Sequence, residues 1–224
     1  MRLAGQLSQP FSTSLALYYA AVVHRERGEH AAAVANAEAA LDAARAHGLQ
    51  TDRLALLVRL SLEGALEESE LARLHQSARP PSSRWSNVFA FCLLAEAYAR
   101  AGVPDRGLAA LAEIPEDSPE TVYSSEIHRC RGELLLSQGQ AHGPEAENCF
   151  RTALDLARRG ARRSLELRAA SSLGRLLQRQ GKREDARHLV AEIYFGFTEG
   201  FDTADLRDAK MLLDELSTAS SEIR

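Results

Sequence analysis

Apolar residues recur along this chain at steps of three and four, and nowhere alternate long enough to make a strand. Ala33, Ala37, Ala40, Leu41 and Ala44 form one such stripe. Leu54, Leu57, Val58 and Leu60 form another, and Leu173, Leu177, Ala186, Val190 and Ile193 span a pair. At 3.6 residues per turn each stripe lies on one helix face and must be buried against a neighbour. Glycine or proline punctuates the stripes, so the pattern predicts helical hairpins over 11–47, 51–78, 84–114, 119–159 and 163–197, and a last helix over 203–217. The turn glycines Gly28, Gly102, Gly139 and Gly181 are 74, 37 and 42 residues apart, the first gap holding two hairpins. The chain reads as all-α, a single repeat array over 1–224.

The two ends of this array differ. Leu206, Met211, Leu212, Leu213 and Leu216 on the last helix are expected to cover the open end of the stack. Phe195, Phe197 and Phe201 are expected to pack between the fifth hairpin and that helix, with Asp202 or Thr203 as its cap. At the other end Leu15–Val23 is apolar with no partner of its own, which predicts contact with another domain or self-association through the amino-terminal hairpin.

Composition narrows the function. The net charge of −4 and the lack of aromatics among the basic residues argue against a nucleic-acid partner. No apolar run approaches the roughly 18–20 residues that cross a membrane, and no cleavage site follows Leu15–Val23, so no membrane partner and a cytoplasmic location are expected. Cys92, Cys130 and Cys149 are odd in number and widely spaced, as buried apolar side chains in a reducing compartment would be.

Candidate chemistry is sparse. The seven histidines have no metal-ligand spacing. Gly181-Lys182 is the only Gly-Lys pair, and Arg183 follows where a phosphate-binding loop needs a hydroxyl. The expectation is therefore a non-enzyme with no cofactor and no metal. The residues 151–187 stand out, with eleven Lys/Arg against four Asp/Glu. Arg168, Arg175 and Arg179 follow one another at seven and four residues and share a helix face. A row of guanidinium groups suits an acidic peptide or a carboxyl terminus, because arginine pairs bidentately with carboxylates. The competing reading is a solvated face balanced by Glu166 and other acids.

Leu173-Gly174 with Ala186, Val190 and Ile193, and Gly132 and Gly139 with Ala146, Phe150 and Ala153, resemble the tetratricopeptide repeat. Tyr98 with Gly102, and Gly28 with Ala33 and Ala40, do so too, although no single copy is complete. The segments 126–136, 164–170 and 197–206, with Pro10-Phe11-Ser12 near the start, look like the carboxyl-terminal repeat region of large bacterial signalling proteins. Those proteins join a cyclase, kinase or DNA-binding module to an ATPase. The resemblance implies a superhelical array whose first helices line a concave groove, with Arg168, Ser171, Arg175, Gln178 and Arg179 facing it. Arg129 and Glu133 would lie alongside, one repeat earlier, and Cys92 and Glu96 before them. The implied function is a protein-interaction scaffold or regulatory module that holds a peptide or partner domain in that groove. The alternatives are an inactive carboxyl-terminal piece of a nucleotide-dependent regulator and a self-associating structural array.

Overall fold

The computed structural model describes residues 9–49, 58–59, 68–78, 84–114 and 123–218. Among these residues there are ten α-helices and no strand. The helices are α1 (Pro10–Glu26), α2 (His30–Ala46), α3 (Glu68–Ala78), α4 (Arg84–Arg100), α5 (Pro104–Ala112), α6 (Ser124–Gln138), α7 (Gly143–Arg159), α8 (Arg163–Arg179), α9 (Arg183–Tyr194) and α10 (Ala204–Thr218). The expected hairpins thus appear as α1/α2, α4/α5, α6/α7 and α8/α9, with the expected last helix as α10. The helix expected over 51–64, apart from Val58 and Arg59, lies outside the described residues, as do the break at 80–83, the Pro115 stop and the start expected at 119. The chain divides into two compact units, Met1–Ile114 and Pro115–Arg224.

In the first unit, Pro10 opens α1, where a missing N–H costs nothing. The α1/α2 seam is built from small residues: Ser14 and Ala21 face Ala33, Ala37, Ala40 and Ala44, all buried. Alanine lets the two backbones approach closely, and Ser14 Oγ donates to the Ala40 carbonyl at 3.2 Å. Arg25 on α1 pairs with Glu96 on α4. The α4 helix packs against both α3 and α5. Its residues Val88 to Ala95, with Ala97 and Tyr98, are buried on every face, as a helix apolar all round must be. Of the stretch expected to be unpartnered, Tyr18, Ala21 and Val22 are buried, while Tyr19 and Val23, with Phe11 ahead of them, are each more than half exposed.

In the second unit, consecutive helices pack pairwise from α6 to α10. In addition α6 packs on α8, and α8 on α10, so these three form one continuous layer. Glycine sets the depth of two seams. A Cβ on Gly132 would lie 2.5 Å from the Phe150 ring, and one on Gly174 would lie 2.9 Å from Val190. Gly132 and Gly174 of the repeat-like pattern therefore sit where one helix presses a side chain onto the backbone of another.

Two turns in this unit use the same hydrogen-bond pattern with different residues. After α8, Gly181 adopts φ 79°, and the Lys182 N–H donates to the Leu177 carbonyl at 2.9 Å. After α7, the Arg162 N–H donates to the Ala157 carbonyl at 3.0 Å, but the left-handed residue is Ala161, with φ 51°. Gly160, one position earlier, has an ordinary negative φ. An L-residue with a Cβ is disfavoured in the left-handed region by roughly 1–2 kcal/mol.

The aromatic cluster departs from expectation. Phe195 is 77% exposed, Phe201 is exposed, and Phe197 is half-buried beneath the Arg163 guanidinium, 5.8 Å from its ring centre. The α9/α10 seam is closed instead by Val190 and Ile193 on one side and Leu206, Ala209, Leu212, Leu213 and Leu216 on the other. Because α9 stops at Tyr194, the phenylalanines fall on the turn that follows. There Phe195 and Phe201 pack edge-on against Tyr194, at 5.4 and 5.9 Å. Met211, expected on the covering face of α10, is exposed. Thr203 directs its hydroxyl to the Gly200 carbonyl at 2.7 Å.

Candidate functional site

The layer of α6, α8 and α10 carries a cleft of about 180 Å³ lined by Arg129, Glu133, Arg168, Ser171, Ser172, Arg175, Asp205 and Asp208. Helical spacing explains the convergence. Arg168, Ser171, Ser172 and Arg175 are at i, i+3, i+4 and i+7 on α8, Arg129 and Glu133 are at i and i+4 on α6, and Asp205 and Asp208 are at i and i+3 on α10. Five of the nine residues expected along a groove, Arg129, Glu133, Arg168, Ser171 and Arg175, are thus brought together. Gln178 and Arg179 continue along α8 beyond this lining, Gln178 half-buried and Arg179 exposed. Cys92 is buried in α4, and Glu96 is taken by Arg25.

Two of the arginines are already occupied. Glu126, only 5% exposed at the start of α6, accepts from Arg129 Nε at 2.7 Å and lies 3.0 Å from an Arg168 nitrogen. Arg129 is also 3.8 Å from Glu133, and Arg168 is 3.8 Å from Asp205. Ser172 Oγ donates to Glu133 at 2.6 Å, tying α8 to α6. A buried carboxylate held by two guanidinium groups is well compensated, whereas loss of either kind of partner would leave charge uncompensated.

Three groups in the cleft have no such partner. The Arg175 guanidinium and the Asp208 carboxylate make no ion pair or hydrogen bond among the described residues, and both line the same small space. Ser171 is 7% exposed and its Oγ has no hydrogen-bond partner. A buried polar atom without a partner costs about 1–3 kcal/mol. The cleft therefore offers one unclaimed cation, one unclaimed anion and one unclaimed hydroxyl. Sequence reasoning found the first and the third. It missed Asp205 and Asp208, whose i, i+3 spacing on the last helix was the available signal, and it missed the part played by Glu126.

A second, larger cleft of about 430 Å³ lies between α7, α8 and α9, with Leu154, Leu173, Leu177 and Leu189 among its lining residues. Two of its rim charges are engaged, Arg151 with Glu147 at 2.7 Å and Arg158 with Glu166 at 2.9 Å, whereas Asp155, Lys182 and Asp185 make no ion pair among the described residues. Glu147 also accepts from Gln180 at 3.0 Å, and that bond, followed by the one from Arg151, holds its carboxyl below the usual range. Glu166 is buried like Glu126 and is also contacted by Arg163 at 3.1 Å. Cys92, Cys130 and Cys149 are all buried and in no disulfide among the described residues, and burial pushes the Cys149 thiol up. No described helix is long and apolar enough to cross a membrane. Compared with protein-family models, with curated proteins and with solved structures, the chain matches none.

Proposed function

We propose that this chain is a protein-interaction module, a tetratricopeptide-like superhelical array that holds a peptide or partner domain against the α6/α8/α10 face. In this reading it serves as a non-catalytic scaffold or regulator in bacterial signalling or transcriptional control. The observation that carries the reading is the cleft itself, where residues from three stacked helices converge and leave Arg175, Ser171 and Asp208 without partners. The repeat-like packing of Gly132 on Phe150 and of Gly174 on Val190 supports the architecture. Replacing Gln178 or Asp155 with a photo-crosslinking amino acid in source cells tests it. A discrete polypeptide adduct is expected from Gln178, beside the cleft, and none from Asp155, in the second cleft. Absence of any adduct at Gln178 would overturn the reading.

The exposed stripe of Phe11, Tyr19 and Val23 on α1 favours a second reading, self-association through the amino-terminal hairpin. It predicts a dimer by sedimentation equilibrium that dissociates in Tyr19→Glu. A monomer at high concentration removes it.

A further inference from the structure

The expectation from sequence was an acidic ligand, drawn to a row of arginines. The pairing inside the cleft changes that chemistry. Arg129 and Arg168 are shared among Glu126, Glu133 and Asp205, so the guanidinium left to recognise a ligand is Arg175. On the α10 wall stands Asp208, a carboxylate with no cation of its own. Arg175 and Asp208 line one cleft of about 180 Å³, yet lie further apart than the 4.0 Å of an ion pair and do not neutralise each other. A purely acidic ligand would satisfy Arg175 and be repelled by Asp208 and Asp205. A purely basic one would satisfy Asp208 and be repelled by Arg175. A ligand carrying both charges satisfies both walls at once.

We propose that the cleft recognises a carboxylate and a cation presented together, as an acidic side chain beside a basic one in a peptide segment. The carboxylate sits on Arg175, next to the buried Ser171 hydroxyl that no protein group claims. The ammonium or guanidinium sits on Asp208. This rests on the interaction-module reading above and specifies its ligand. Opposite charges facing opposite walls also fix the direction in which a peptide lies across α8, since reversal places like charges together.

The test uses the full chain and labelled nonapeptides of Gly, Ser and Ala, acetylated and amidated so that no terminal charge remains. One set carries a Glu–Lys pair at spacings from adjacent to i, i+4. The others carry Glu alone or Lys alone. Anisotropy at low salt is expected to show the best paired peptide binding about tenfold or more tighter than either single-charge peptide. Asp208→Asn, on an exposed position of α10, is expected to erase the advantage over Glu alone, and Arg175→Gln the advantage over Lys alone, with helicity by circular dichroism unchanged. Ser171→Ala is expected to weaken the paired and Glu-only peptides and leave the Lys-only peptide unmoved. Binding of the Glu-only peptide as tightly as the pair overturns the inference while leaving an acidic-peptide module intact. Binding by none of the peptides also overturns it, and the Gln178 crosslinking result then decides separately whether the module reading survives. Free glycine or lysine competing as well as the paired peptide assigns the same chemistry to a free amino acid and overturns the peptide source.

Discussion

The α1/α2 and α6/α7 hairpins reach the same antiparallel packing by opposite means. In α1/α2 the seam is Ala21 against Ala33, Ala37, Ala40 and Ala44. Small residues dominate the buried positions, with Tyr18, Val22 and Leu41 beside them, and Phe11, Tyr19 and Val23 are left exposed. In α6/α7 one helix lacks a Cβ at Gly132, and the Phe150 ring of the other fills the notch, fully buried. An alanine seam is close but shallow. A glycine notch accepts a ring and frees the other faces of α6 for Arg129 and Glu133. A hairpin that buries its aromatic inward can present charge outward, and the candidate site is found on such a hairpin.

Four changes test this contrast, in falling order of effect. Because the chain has two compact units, each is read by hydrogen exchange of the helices concerned rather than by one global midpoint. Phe150→Ala empties the notch and is expected to cost about 3–5 kcal/mol of protection in α6 and α7. A loss below 1 kcal/mol would show that the ring does not hold this hairpin. Glu126→Gln keeps the shape but leaves Arg129 and Arg168 without their shared carboxylate, at an expected cost of about 3 kcal/mol in α6 and α8. Unchanged exchange there means that the two arginines find water instead. In the alanine seam, Ala37→Leu should overpack α1 against α2 and cost about 1–3 kcal/mol, with no change in α6 or α7. An unmoved α1/α2 would mean that this seam has spare room. Finally, Ala161→Gly relieves the left-handed turn after α7 and should stabilise α7 and α8 by about 1 kcal/mol. Loss of protection would show that the alanine methyl matters more than the backbone.

Helix order and most helix ends were legible because they depend on local pattern: Pro10 and Pro104 at first turns, and Gly28, Gly102 and Gly181 just past helix ends with positive φ. Arg168 and Arg175 were legible because a seven-residue step keeps them on one helix face, and Ser171, Arg129 and Glu133 because the tetratricopeptide resemblance placed them along the same groove. What the spacing could not supply was pairing between helices. Glu126 is 42 residues from Arg168, so nothing local reveals that a buried carboxylate already holds that arginine. Asp205 and Asp208 were passed over because α10 presented itself through its leucines, and the polar side of an amphipathic helix reads as solvent-facing by default. Phe195 and Phe201 misled for a related reason. Aromatic density signals burial only when the backbone turns it inward, and α9 ends at Tyr194, which leaves both rings on the turn that follows. At the α7/α8 turn the glycine was visible, but the strained position fell to the alanine beside it.

The Glu126 clasp reaches past its own hairpin. Its carboxylate belongs to α6, one of its arginines to α6 and the other to α8, in the hairpin that follows. In stacked helical pairs the sharpness of unfolding depends on how strongly each pair is joined to the next. Part of that joint here is a charge withdrawn from solvent, where salt screens it poorly. Cooperativity between these two hairpins should therefore persist at ionic strengths that silence surface pairs.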